Sequence, residues 1–254
     1  KSEPNNNIYI SPENLEKRRW NLKMSDLLKI DYTNKGQTPL MACCVEEWKE
    51  GLELMLQNGA DPNEYLETTY VDTVHMPAIY VCIDRKWSEG LKTLIEHSKV
   101  KLNASINGVT PLIFCVQKKW ESGLTEILSI KNVKVKVNVN KTDYGQDHTA
   151  LHECCFMKWE FGLDKLIKAG AQIAKKVRDS ETTALKICIG VKWKYGVLKL
   201  LDAGARLTNN INNIKKLFEG SNEGKNKLQR FFKNEENRQN RLQRTQKSIG
   251  SSLY

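Results

Sequence analysis

The chain has 254 residues, 40% of them hydrophobic, and a formal net charge of +10, so it carries enough apolar content to bury a core. No apolar run approaches the ~18 to 20 residues that cross a bilayer. The seven cysteines are odd in number and contain no C-x-x-C pair, which fits neither a disulfide framework nor a zinc ribbon; they read as small buried apolar residues in a reducing, intracellular setting, cytoplasmic or nuclear.

In chain order, "SPENLEKRRWNLKMSDLLKI" (11 to 30) comes first, with Ser11 and Pro12 as a helix start and Trp20 near its middle. The phrase around that tryptophan then returns as "VEEWKEGLELML" (45 to 56), "DRKWSEGLKTLI" (84 to 95), "QKKWESGLTEIL" (117 to 128), "FMKWEFGLDKLI" (156 to 167) and "GVKWKYGVLKLL" (190 to 201). All six tryptophans lie in this register, at spacings of 28, 39, 33, 39 and 34 residues. A period of thirty-odd residues predicts stacked repeats that bury apolar surface only against their neighbours. Cys43, Cys82, Cys115, Cys154 and Cys188 each stand five residues before a tryptophan and confirm the frame.

Within residues 36 to 63, Thr38 and Pro39 open a first helix. Leu40, Cys43 and Cys44 give it one apolar stripe, Leu52, Met55 and Leu56 a second helix, and Gly59 a left-handed stop. The six indoles are expected to form a ladder, with those from Trp48 onward filling the gap beside Gly51, Gly90, Gly123, Gly162 and Gly196. Arg19, Lys86, Lys119, Lys158 and Lys192, each preceding a tryptophan, leave a second reading open: alternating cations and rings that receive a peptide or single-stranded nucleic acid.

Residues 64 to 75 and 137 to 147 form longer connections, of the kind that gather on a binding face. "HTALHECC" (148 to 155) places His148, His152, Cys154 and Cys155 at helical spacing, but a zinc site needs convergent donors, and the cysteines fall in the core slot; no metal or cofactor is expected. Toward the end, Ile211, Ile214, Leu217 and Phe218, then Leu228, Phe231 and Phe232, suggest two amphipathic helices, followed from Asn234 by a polar tail read as a frayed helix or disorder. From Ile211 to Tyr254 ten Lys and Arg face four Glu, a net charge of +6.

"GQTPL…NGADPN" (36 to 63), "NGVTPL" (107 to 112), "TALH" (149 to 152), "KAGAQI" (168 to 173) and "DAGARL" (202 to 207) resemble the ankyrin repeat. The resemblance spans about residues 8 to 233. It implies an all-α solenoid of helix-turn-helix units with an N-terminal cap at 8–33, five repeats at about 34–209, a degenerate C-terminal cap at 210–233 and a basic polar tail at 234–254. The sequence departs from the family at the inter-helix turn, where charged residues precede the tryptophans and the glycine is displaced into the second helix.

What the family resemblance further implies is a non-catalytic, monomeric scaffold or adaptor that holds a protein or peptide on a concave surface. That surface would present Val45, Glu46, Asp84, Arg85, Gln117, Lys118, Phe156, Met157 and Val191, with Gln37, Tyr65, Tyr70, Val109, Tyr144, Gln146 and His148 at loop tips. Phe156 and Met157 are the expected hot spots, and Arg85 and Lys118 favour an acidic segment. Binding of nucleic acid or another polyanion through the basic-Trp register and the C-terminal region is the alternative. Neither a phosphate-binding glycine loop nor a nucleophile elbow appears in the sequence.

Overall fold

The computed structural model describes residues 38–64, 76–97, 99–130, 137–143, 147–178, 180–206, 211–222 and 224–250. The expected N-terminal cap and Trp20 lie outside them, as do Gln37, Tyr65, Tyr70, Tyr144 and Gln146. The described residues form helices without strands, in two compact units that meet in sequence at Lys101 and Leu102.

In the first unit, α1 (Pro39–Val45) and α2 (Lys49–Gln57) make one hairpin, and α3 (Ala78–Arg85) and α4 (Ser88–Glu96) the next. First helix packs on first helix and second on second. The second unit repeats this with α5 (Pro111–Gln117) and α6 (Glu121–Leu128), α7 (Ala150–Phe156) and α8 (Glu160–Lys168), and α9 (Ala184–Gly190) and α10 (Lys194–Asp202), and closes with α11 (Ile211–Leu217) and α12 (Lys225–Gly250). The expected boundary at 233/234 falls inside α12, a single helix.

The first helices begin where the sequence predicts. The hydroxyls of Thr38, Thr110, Thr149 and Thr183 accept from the amides three residues on, at 3.2 to 3.5 Å, satisfying donors that a helix start leaves open. Their ends explain the fixed distance from cysteine to tryptophan. Trp120 N donates to Cys115 O at 3.1 Å while Lys119 N donates to Val116 O at 2.9 Å, the paired bonds of a Schellman stop. Equivalent bonds run from Trp48, Trp87, Trp159 and Trp193 to the cysteine five residues earlier.

A Schellman stop places one residue in the left-handed region, normally glycine. Here Glu47, Lys86, Lys119, Lys158 and Lys192 hold it, with φ between 46° and 55°. The glycine is used three residues after each tryptophan instead. A methyl group on Gly51, Gly90, Gly123, Gly162 or Gly196 would come within 2.0 to 2.3 Å of Cε3 of that tryptophan, so each indole lies flat on the first turn of the helix it precedes. This answers the Trp-x-x-Gly pattern: the ring and the bare Cα are two halves of one contact.

Leu52, Leu91, Leu124, Leu163, Val197 and all seven cysteines are buried, the cysteines as free thiols. Burial pushes the Cys43 thiol up to about 12. Between repeats, loop backbone is joined by amide side chains. Asn63 Oδ1 accepts from Lys101 N at 2.8 Å, Asn103 Oδ1 from Asn138 N at 2.7 Å, and Asn140 Oδ1 from Gln172 N at 2.7 Å.

Candidate functional site

Whereas in α9 the residue before Cys188, Ile187, is buried, the first helices α1, α3, α5 and α7 turn the residues one before, two after and three after their core cysteine away from the stack. In the first unit these include Val45, half-buried, and Glu46, Asp84 and Arg85, exposed. In the second unit α5 presents Phe114, Gln117 and Lys118, α7 presents Glu153, Phe156 and Met157, and α9 is followed by Val191. Phe156 is 44% exposed at the end of α7. Beside it on the neighbouring helix, Lys118 Nζ stands 5.1 Å from the Phe114 ring centroid, and Lys119 Nζ donates to Met157 O at 3.0 Å. Gln117, Lys118, Phe156 and Met157 are thus brought together on α5 and α7. Val109 is half-buried and bridges to Ile106 in its own hairpin.

His148 departs from the expectation of an exposed loop tip: it is 9% exposed. Its ring centroid lies 5.2 Å from that of Phe156 and 5.9 Å from that of His152, because the hairpin closed by the Thr142–Thr149 bridge delivers it onto α7. Asp143 fastens the same hairpin, with its N donating to His148 O at 3.0 Å and its Oδ1 accepting from His148 N at 3.1 Å. One turn into α7, Glu153 Oε1 stands 3.7 Å from His148 Nδ1. Burial raises the Glu153 carboxyl above its ordinary range, partly offset by His148. Asp143 and Glu153 were missed in the sequence. Glu153 is three residues from Phe156 and so on the same helical face, a usable signal; nothing in the spacing marks Asp143.

The donor set foreseen in "HTALHECC" does not converge. His152 is 1% exposed. Its Nδ1 accepts from Thr149 N at 3.1 Å, and its Nε2 lies 3.2 Å from Lys175 O, which assigns the proton to Nε2. Burial lowers its pKa to about 4 despite that carbonyl. Cys154 and Cys155 lie in the core.

Among the described residues the basic-Trp register offers little ring surface for stacking. Trp87, Trp120, Trp159 and Trp193 are 7% to 8% exposed, with one face on glycine, and Trp48 is half-buried. Lysines lie instead over Phe114, Phe161, Phe218, Tyr195 and Phe232. The concentrated positive charge is on α12. At 100° per residue, Lys227, Arg230, Lys233, Arg238, Arg241 and Arg244 occupy the half of its circumference opposite Leu228, Phe231, Phe232 and Leu242. Lys227 pairs with Asp202, and Arg238 with Glu235 at 3.4 Å.

Stacked helix-turn-helix units, four with Thr-capped first helices and three with second helices followed by a left-handed glycine, define an ankyrin-repeat fold. The family model "Ankyrin repeat" matches residues 35–65, one of the repeated units. Among solved structures it is similar to the crystal structure of the ankyrin repeat domain of Bcl-3, described as a unique member of the IkappaB protein family. The TM-score is 0.60 at 17% identity, over 69% of this chain and 74% of that one. No curated protein matches the sequence. Among the described residues no helix is long and apolar enough to cross a membrane. Ankyrin repeats are generally protein-interaction modules and typically non-enzymatic.

Proposed function

We propose that the chain is a non-catalytic scaffold or adaptor, an intracellular monomer whose repeat domain holds a partner protein on the first-helix faces. The observation that carries this is Phe156, a large apolar side chain 44% exposed on a face that also presents Met157, Phe114 and Val191. A soluble protein rarely gathers such groups without a contact for them, and aromatic anchors dominate interface energetics. Lys118 over Phe114 favours a partner segment with a carboxylate at the edge of the apolar patch. Gln37, Tyr65, Tyr70, Tyr144 and Gln146 extend the reading to loop tips in the sequence.

The test is affinity purification of the wild type and Phe156→Asp, matched by circular dichroism. A protein retained by the wild type at high salt and lost, by at least about tenfold, from the variant fits an apolar anchor of ~1.4 kcal/mol or more. Equal retention refutes the assignment. The basic face of α12 favours one further reading, attachment to a polyanion such as nucleic acid. Single-strand affinity would then fall with salt at a log–log slope of about −0.7 per phosphate contact, and a flat salt series would remove it.

A further inference from the structure

We propose that Asp143, His148 and Glu153 form a divalent-metal site of the zinc type, two carboxylate oxygens and one imidazole nitrogen, that ties the 142–149 hairpin to the helix carrying Phe156. Their ligand atoms all lie within 4.8 Å of one another, although the three residues come from two elements: Asp143 and His148 from the arms of the hairpin, Glu153 from the first turn of α7.

Two features prepare the site before any ion arrives. Asp143 is fixed by its double bond pattern to the His148 backbone, N to O at 3.0 Å and Oδ1 from N at 3.1 Å. The His148 imidazole is buried, with its ring near those of His152 and Phe156. Its Nδ1 points at Glu153 Oε1 across 3.7 Å, longer than a hydrogen bond. Donors at 2.0 to 2.2 Å from a tetrahedral zinc stand about 3.4 Å apart. The histidine and Glu153 are therefore nearly at bonding separation, and the remaining gap, with all ligand atoms within 4.8 Å of one another, closes by small adjustments that leave Asp143 Oδ1 on His148 N.

The donor chemistry selects the ion. One imidazole with two carboxylates is a borderline set suited to zinc and its first-row neighbours, whereas calcium takes six to eight oxygens and magnesium a hydrated octahedron. Two carboxylates facing one imidazole also leave an excess of negative charge, which a dication neutralises. Three protein donors leave the fourth position to water. The thiols compete poorly: Cys154 and Cys155 are fully buried in the core.

The test titrates the full chain with Zn2+ alone and, separately, Co2+ alone, after chelation and with a thiol reductant. The expected result is one ion per chain, a higher thermal midpoint, and a cobalt spectrum with d–d bands but no thiolate-to-cobalt charge transfer. Glu153→Gln and Asp143→Asn should each raise Kd at least about tenfold, the loss that even outer partners of metal sites cause. Glu181→Gln, an exposed carboxylate paired with Lys176, should not. A thiolate band, the absence of stoichiometric binding, or unchanged affinity in Glu153→Gln overturns the assignment. The cobalt spectrum of the wild type decides the matter even if a variant fails to fold.

Discussion

Replacing Gly123 by alanine tests the contact on which every repeat is built. In an exposed helix this change is favourable by roughly 0.5 to 1 kcal/mol, since alanine loses less chain entropy. At Gly123 the new Cβ would sit 2.1 Å from Cε3 and 2.4 Å from Cζ3 of Trp120, and a rigid indole cannot bend aside. Either the ring leaves its buried seat, at a cost approaching the ~3 to 5 kcal/mol of losing a large aromatic, or helix and ring separate with an overpacking cost of ~1 to 3 kcal/mol. The net expectation is a loss of about 2 to 4 kcal/mol. Gly190→Ala is the matched control, because Gly190 closes α9 with nothing within 4 Å of an added Cβ and should be neutral or slightly stabilised. Urea unfolding followed by far-UV circular dichroism measures both. If Gly123→Ala is as stable as Gly190→Ala, the indole does not rest on the glycine and the account of the repeat is wrong.

His152 makes the fold acid-sensitive. Its pKa falls from an ordinary 6.5 to about 4 on folding, so below pH 6.5 the unfolded chain binds the proton first, and stability drains as pH drops toward 4. The full effect is ~3 kcal/mol, at 1.36 kcal/mol per pKa unit; a urea midpoint that falls as steeply over this window in His152→Asn as in the wild type would contradict it. At the left-handed turn, Lys192→Gly should stabilise by up to ~1 kcal/mol by relieving a φ of 54°. Lys119→Gly should gain less, since it also gives up the bond to Met157 O; equal gains by thermal denaturation would mean that this bond contributes nothing.

Much of the architecture is legible in the chain because its signals are local. Thr38–Pro39 starts a helix wherever it occurs, Gly59 stops one with φ at +90°, and five copies of Trp-x-x-Gly report a contact confined to a single turn. The seat of His148 is not local. Its burial depends on a hairpin folding onto α7, and a loop-tip position in sequence says nothing of which way the hairpin leans. Asp143 escaped for the same reason: it reaches Glu153 across the hairpin, at no helical period. The platform reading of the tryptophans failed on a matter of orientation. Spacing placed the indoles in one register without disclosing that the neighbouring glycine takes the ring face a base would need.

The amide side chains that join successive loops have a consequence for how such a chain changes length. Asn63, Asn103 and Asn140 each reach forward to hold a main-chain N–H in the loop that follows, so each of these three joints has a reaching half and a held half thirty-odd residues apart. Removing a whole period at these joints rejoins an accepting Asn Oδ1 to an equivalent donating N–H, while removing a fraction of one strands both. Growth and trimming by complete modules is therefore written into the seams, and a cut anywhere else leaves an open valence in the loop backbone.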